Sequence, residues 1–470
     1  MRAGAAAWSV RGTLLVGLAG VLVGCASGVP SPPDVSAGGR PAADLLDTYR
    51  ALDLVVGNPD LPVVGRFVIL RGPADSAYVG FAASMPPASL RFAREGDLFS
   101  ASYQVRLTFL SGRDTVRAVN RREIVRVEDF SETARTDEAI VFQRFVTLPP
   151  GEYTVDVLVR ELTTRNQATS RYSLAVPAFG ASGATLSPPL VAYRAAPRRE
   201  YAQPPPMIIS PRSTAVYGRA PAVVVIEDYA PGSAGFLVRA FVGEERVWED
   251  TLRGRVAEQG PATAIAPLPL QLLPPGLARI EVQALDDGRS SRATLLVGLA
   301  DQWVFGDFEE ATEHLRYAVP PETLEAWREA GPAERSRLWG RFWTESDPDP
   351  KTPANEFLAE YFDRMTKANR RYGDSRTPGW RSDRGRALVQ LGEPDKEVLR
   401  APRRTGERAQ IEWLYEESLP IRVRLLFEDV SGFGTFVLTQ RSRLLLREAA
   451  EQLRRHRAEQ RESLPGQDDT

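Results

Sequence analysis

Pro378-Gly379-Trp380-Arg381-Ser382-Asp383-Arg384-Gly385-Arg386 runs without a break into Ala387-Leu388-Val389-Gln390-Leu391-Gly392-Glu393-Pro394-Asp395. Pro378-Gly379 punctuates the chain, and Asp383-Arg384-Gly385 is a polar lead-in with a glycine for tight geometry. Leu388, Val389 and Leu391 form a short apolar run that Gly392-Glu393-Pro394-Asp395 ends. The stretch reads as a turn, a buried strand over Ala387 to Leu391 and a second turn.

The chain around it has 470 residues, enough for about three domains. Hydrophobic residues make up 43% and charged residues 26%, the balance of a soluble globular protein. The formal net charge of −2 sets up no global field toward nucleic acid, and no nucleic-acid partner is expected. Lysine occurs only at Lys351, Lys367 and Lys396. That scarcity fits codon bias better than lysine chemistry.

The N-terminus has the form of a targeting segment. Arg2 and Arg11 supply a positive region, and Thr13 to Gly24 is an apolar run too short for a spanning helix, which needs roughly 20 residues. It ends in Leu22-Val23-Gly24-Cys25-Ala26-Ser27, which resembles a bacterial lipobox with lipid added at Cys25. Cys25 is the sole cysteine of the chain, so neither a disulfide nor a catalytic cysteine is available. Acyl chains on Cys25 would hold the protein at a membrane. The resemblance implies the cell envelope, and Ala26 after the cysteine favours the outer membrane. Residues 26 to 40 are rich in Ser, Pro, Gly and Ala and form a tether of at most ~50 Å. Leu45, Leu46, Tyr49 and Leu52 then fall at helical spacing.

From Leu61 the pattern turns to strands. Phe67 to Leu70, Tyr78 to Phe81, Leu98 to Leu110, Glu123 to Val127, Ala139 to Val146, Tyr153 to Val159 and Arg171 to Val176 are candidates, separated by turn residues as in a β-sandwich. Leu148-Pro149-Pro150-Gly151 delivers an alternating strand, and Leu273-Pro274-Pro275-Gly276 does the same further on. The repeat predicts a second, smaller sandwich, with the Pro- and Arg-rich Ala195 to Pro206 as a linker or edge segment.

After Asp301 the period becomes helical. Phe308 to Tyr317, Thr323 to Glu329 and Glu334 to Trp343 are helix candidates. A longer helix follows Thr352-Pro353, with Thr352 placed to cap it and Phe357, Leu358, Tyr361, Phe362, Met365 and Tyr372 as its stripe. Ile411 to Tyr415, Ile421 to Phe427 and Phe433 to Leu438 alternate, and with Ala387 to Leu391 they predict a small antiparallel sheet. Arg441 to Glu462 reads as a charged helix.

These pieces resemble the GWxTD domain, a module of bacterial envelope proteins, many of them lipoproteins, with no assigned biochemical role. The resemblance covers about residues 304 to 440. It rests on Trp343 with Asp347-Pro348-Asp349-Pro350, on Asn355-Glu356 with Tyr361, and on Ala368 to Tyr372. The central pieces are Gly379-Trp380, Ser382-Asp383-Arg384-Gly385 and Gly392-Glu393-Pro394-Asp395, followed by the Glu412-Trp413-Tyr415 strand. Ser382 stands where the family name has Thr, and Glu393 where the family often has Pro. The family supplies no catalytic residues to carry over and implies no cofactor.

The fold expected is therefore multidomain: two β-sandwich, immunoglobulin-like domains followed by an α+β domain with a small antiparallel sheet. The boundaries are a leader (1–24), a lipidated tether with a short helix (25–60) and a first sandwich (61–180). A linker with a second sandwich (181–300), the GWxTD-like domain (301–443) and a charged tail (444–470) complete the chain.

Two histidines, His314 and His456, leave little room for Ser-His-Asp or zinc sites. No P-loop or dinucleotide fingerprint is present. Carboxylate and arginine chemistry remains. Asp383, Asp395, Glu356 and Glu393, with Arg384 and Arg386, could line one cleft and serve polymer hydrolysis or anion binding. Each also has a packing alternative: Asp383 capping a turn, Trp380 filling the core, Arg384 pairing with Glu356, and Asp395 in a turn where Asp is common. Asp347 and Asp349 could touch calcium, but read more simply as a loop stop. Asn355, Glu356, Gly379, Trp380, Ser382, Asp383, Arg384, Gly385, Gly392, Pro394 and Asp395 are the candidate residues. The favoured role is binding or scaffolding of an envelope protein or glycan. A carboxylate-dependent hydrolase or transferase on envelope polymers is the alternative.

Overall fold

The computed structural model describes residues 42–133, 140–179, 185–217, 222–230, 234–299, 303–305, 308–352, 354–373, 377–402 and 407–462. Cys25, the leader and the tether lie outside the described residues. The first helix, α1 (Ala42–Ala51), leads into β1 (Val55–Asn58), β2 (Leu61–Arg71) and β3 (Ala77–Met85). Next come β4 (Ala93–Glu95), β5 (Leu98–Ser111), β6 (Asp114–Val127) and the single turn α2 (Phe130–Thr133). β7 (Ile140–Leu148), β8 (Gly151–Glu161) and β9 (Gln167–Val176) complete this part. One sheet has the order β1-β2-β3-β7. The other has the order β4-β5-β8-β9, with β6 paired to β5. Alternation sends Val105, Phe109, Tyr153, Val155 and Val157 inward, where they meet Val79 and Phe81 of the facing sheet in one core.

The second sheet pair begins with β10 (Leu190–Ala195), β11 (Met207–Ile209), β12 (Thr214–Val216), β13 (Val223–Asp228) and β14 (Gly235–Val242). It continues with β15 (Glu245–Arg253), β16 (Arg255–Val256), β17 (Ala262–Pro267), β18 (Gly276–Ala284) and β19 (Ser290–Gly298). The orders are β11-β10-β13-β17-β16 and β12-β19-β18-β14-β15. Pairing is antiparallel except between β12 and β19. The repeated Leu-Pro-Pro-Gly phrase does the same work twice: Gly151 opens β8 and Gly276 opens β18, each paired to the strand that follows.

The two sheet pairs are joined face to face. Val68, Leu70 and Ala82 pack on Leu190, Met207, Ile209 and Tyr229. The stretch 195–206 connects β10 to the edge strand β11, and its Arg198 is buried against this joint. The Arg198 guanidinium donates to the Arg71 carbonyl at 2.7 Å and to Glu227 Oε2 at 2.8 Å. Burial pushes the Glu227 carboxyl up to about 7, against the pull of Arg198.

The remainder is helical, then mixed: α3 (Phe308–His314), α4 (Pro321–Glu329), α5 (Pro332–Ser346), α6 (Glu356–Tyr372) and α7 (Asp383–Leu391). The antiparallel sheet β20-β21-β22-β23 follows (Lys396–Arg400, Gln410–Tyr415, Val423–Asp429, Phe436–Leu438), and α8 (Gln440–Glu462) closes the chain. The expected strand over Ala387 to Leu391 is the helix α7 instead, and β20 takes its place in the sheet. Ser382 caps α7 by accepting from the Gly385 amide at 3.0 Å, and Gly392 ends it at φ 86°. With both ends fixed, the run Ala387, Leu388 and Leu391 reads as the buried face of a short helix.

One apolar core extends from the second sheet pair into this region and takes in Leu299, Trp303 and Phe305. Tyr217 lies with its ring 5.0 Å from Trp339 and 4.9 Å from Trp343, both on α5. Glu245 of β15 accepts from the Ala333 amide at 2.7 Å. The helix α1 seals a further joint, where Leu46 and Tyr49 sit among Val56 and Val64 of the first sheet and Leu296 and Val304 beyond it. Among the described residues, no helix is long and apolar enough to cross a membrane.

Candidate functional site

The motif begins as a single 3₁₀ turn, Gly379–Arg381, pressed between α6 and α7. Two glycines set the spacing. A Cβ on Gly379 would lie 2.1 Å from the Ala368 carbonyl of α6, and one on Gly385 would lie 1.9 Å from the Gly379 carbonyl. No side chain fits either contact. Ser382 makes a double link, donating to the Gly379 carbonyl at 2.6 Å and accepting from Gly385.

Trp380 is fully buried, as its packing reading requires. The indole lies 5.2 Å from His314 and 5.9 Å from Tyr317, with the Arg381 and Arg316 guanidinium groups 5.0 and 5.4 Å from the ring. Its backbone amide donates to Asn369 Oδ1 at 3.2 Å. Trp380 thus fills the space between the C-terminal half of α6 and the end of α3. His314 is enclosed by Trp303, Phe305 and Trp380. Burial lowers its pKa and keeps the imidazole neutral. Its Nδ1 lies 3.0 Å from the Glu310 carbonyl, and its Nε2 and the Trp380 Nε1 are buried without a hydrogen-bond partner.

The charged candidates do not converge. Asp383 accepts from the Leu438 amide at 2.7 Å and faces Arg443 at 3.4 Å, tying α7 to β23 and α8. Arg384 lies over the rings of Tyr372 (4.6 Å) and Phe436 (5.1 Å), not against Glu356. Arg386 stands 5.9 Å from the Tyr317 ring. Glu356 accepts from the Thr352 hydroxyl, and Glu393 pairs with Arg371 at 2.7 Å. Pro394 turns the chain into β20, and exposed Asp395 accepts from the Glu416, Glu417 and Ser418 amides. These bonds hold its carboxyl down at about 2. A single acidic cleft is therefore not what the fold builds from these residues. Gly392 contributes its carbonyl to the Tyr415 hydroxyl at 3.0 Å.

Asn355, not Thr352, caps α6. It accepts from the Leu358 amide at 3.0 Å and donates to the Trp343 carbonyl and the Ser346 hydroxyl at 3.2 and 2.9 Å, fully buried. Asp347 and Asp349 each accept a backbone amide two residues on, which makes them turn formers. Among the described residues, no group of three His, Cys, Asp or Glu side chains is placed to hold a metal ion. His314 and Asn369 are the central residues that sequence reasoning did not single out. The signal available was their polarity inside apolar helical stripes.

The region is thus a helix-and-sheet module whose signature residues lock α6, α7, the sheet and α8 together. Residues 287–444 match the family model described as GWxTD domain, so this part of the chain is a GWxTD domain, as the motif resemblance implied. The match opens before β19, so the family pattern includes the last strand of the second sheet pair. No curated protein matches the chain.

Proposed function

We propose that the chain is a bacterial envelope lipoprotein, anchored by lipid on Cys25 at the outer membrane. Its two immunoglobulin-like sandwiches and its GWxTD domain act together as a binding or scaffolding body, not as an enzyme. The observation that carries the non-enzymatic reading is the engagement of the motif. Trp380 is sealed in the core, Gly379 and Gly385 are backbone spacers, and Asp383 and Asp395 each hold backbone amides. Such bonds organise a fold and leave no carboxylate pair to share a substrate. The burial of the joints between the sheet pairs and the helices supports a body that works as one unit.

Two substitutions test this. Asp383→Asn keeps an oxygen for the Leu438 amide and loses only an exposed ion pair, so it should cost less than ~1 kcal/mol and preserve function in the cell. A folded Asp383→Asn protein without function would show that the carboxylate does chemistry. Cys25→Ser should abolish lipid attachment and release the protein from the membrane fraction. Mass spectrometry finding an unmodified wild-type Cys25 would overturn the anchor.

A further inference from the structure

The strand pairing leaves a seam in the first sheet pair. β1 covers β2 only as far as Gly65, so Arg66 to Arg71 pair with β3 alone. β9 is the last strand of its sheet and pairs only with β8. The two open edges face each other. At one end the seam is shut: the Asn58 side chain donates to the Gln167 carbonyl at 2.8 Å, and Gly57 lies close against Ala168. Farther along it opens into a cleft of about 410 Å³. Arg66 to Ile69 line it from one edge and Ala175 to Pro177 from the other, with Phe179 and Leu186 adding apolar surface.

One charge in this cleft is unanswered. Arg66 Nε and Nη1 are buried and have no hydrogen-bond partner. Burial disfavours the guanidinium's charge. The Tyr172 hydroxyl beside it donates instead to Asp53 at 2.8 Å. Glu152 at the cleft is exposed and makes no ion pair with Arg66. Enclosed guanidinium donors left idle on a half-buried arginine are costly, and a carboxylate is the acceptor that repairs them best. Open strand edges, for their part, present unpaired main-chain groups that an extended segment satisfies.

We infer that this cleft takes an extended, acidic segment of a partner protein. The segment adds to β2 where β1 stops, with a carboxylate side chain meeting Arg66 and apolar side chains against Phe179 and Leu186. The inference rests neither on the lipid anchor nor on the role of the motif.

The test is selection of a random dodecapeptide library, displayed on phage, against the immobilised full chain. Enriched peptides should carry Asp or Glu within a β-branched run. As synthetic peptides they should bind wild type at least about tenfold tighter than Arg66→Met, the worth of one charge-assisted hydrogen bond. Isotope-edited infrared spectra should show the bound peptide as strand. Arg66→Met should melt no lower than wild type, because it removes two enclosed donors that have no partner. If that variant fails to fold, Arg66→Lys replaces it in the binding comparison, with the same loss expected since one ammonium cannot reproduce the guanidinium donors. No enrichment over the naive library, or equal affinity for wild type and variant, would overturn the inference.

Discussion

Replacing Gly385 by alanine separates two physical effects that point in opposite directions. Gly385 lies inside α7, and by helix propensity alone alanine there should stabilise the fold by about 1 kcal/mol. The geometry reverses the sign. The new methyl would stand 1.9 Å from the Gly379 carbonyl oxygen, whereas comfortable contact between such atoms is roughly 3.5 Å. One side must retreat by more than an ångström. The turn cannot, because Gly379 already backs onto the Ala368 carbonyl. If α7 moves instead, it drags Ser382 off its cap and Asp383 away from the Leu438 amide. Overpacking of this kind costs 1–3 kcal/mol and sometimes more, and here no flexible side chain absorbs it, so a net loss of about 3 kcal/mol is expected. Gly340, in the interior of α5, is the control. Its added methyl would meet the Gln271 carbonyl at 3.2 Å, a contact that small shifts relieve. Gly340→Ala should therefore be neutral or stabilise by up to about 1 kcal/mol. Urea unfolding followed by near-ultraviolet circular dichroism reports the buried tryptophans directly. A Gly385→Ala protein as stable as wild type would refute the wedge as the reason for glycine.

Tyr217→Ala should remove the ring that fills the space beside Trp339 and Trp343 and cost about 3–5 kcal/mol. Tryptophan fluorescence should shift to lower urea together with the β-sheet signal, and an unmoved fluorescence transition would show that the helical region from α3 onward folds independently of the second sheet pair. Glu227 binds its proton more tightly folded than unfolded, so its contribution to stability is full below about pH 4.5 and is lost as pH rises through about 7. Glu227→Gln should abolish that decline. Identical stability-versus-pH curves for variant and wild type would rule out a neutral Glu227 in the joint.

Most strands of the first sheet pair and most helices were legible because alternation and helical stripes are local signals. Val155 and Val157, or Tyr361 and Met365, announce their buried face within a few residues. Ala387 to Leu391 failed for a physical reason: an apolar run this short has no period of its own. Its ends decide, and the Ser382 cap with Gly392 beyond the last turn was the information to weigh. Thr352 and Asn355 are both good caps, and only the Trp343 and Ser346 partners choose between them. The acidic cleft is not built because each carboxylate is engaged elsewhere: Asp383 by the Leu438 amide, Asp395 by the Glu416 to Ser418 amides, Glu356 by the Thr352 hydroxyl and Glu393 by Arg371. The pairing of Tyr217 with α5 joins residues more than a hundred positions apart, and no local pattern reports it.

The placement of α1 bears on how the molecule carries load. Leu46 and Tyr49 grip β1 and β2 on one side and Leu296 and Val304 on the other. A pull applied through the chain before Ala42 therefore does not peel a lone strand from a sheet edge. It is shared at once between the first sheet pair and the strand that ends the second, and the helix must slide past both before either can unravel. Tension entering from the N-terminal side would thus be borne by the first sheet pair and the end of the second together, not by one strand edge alone.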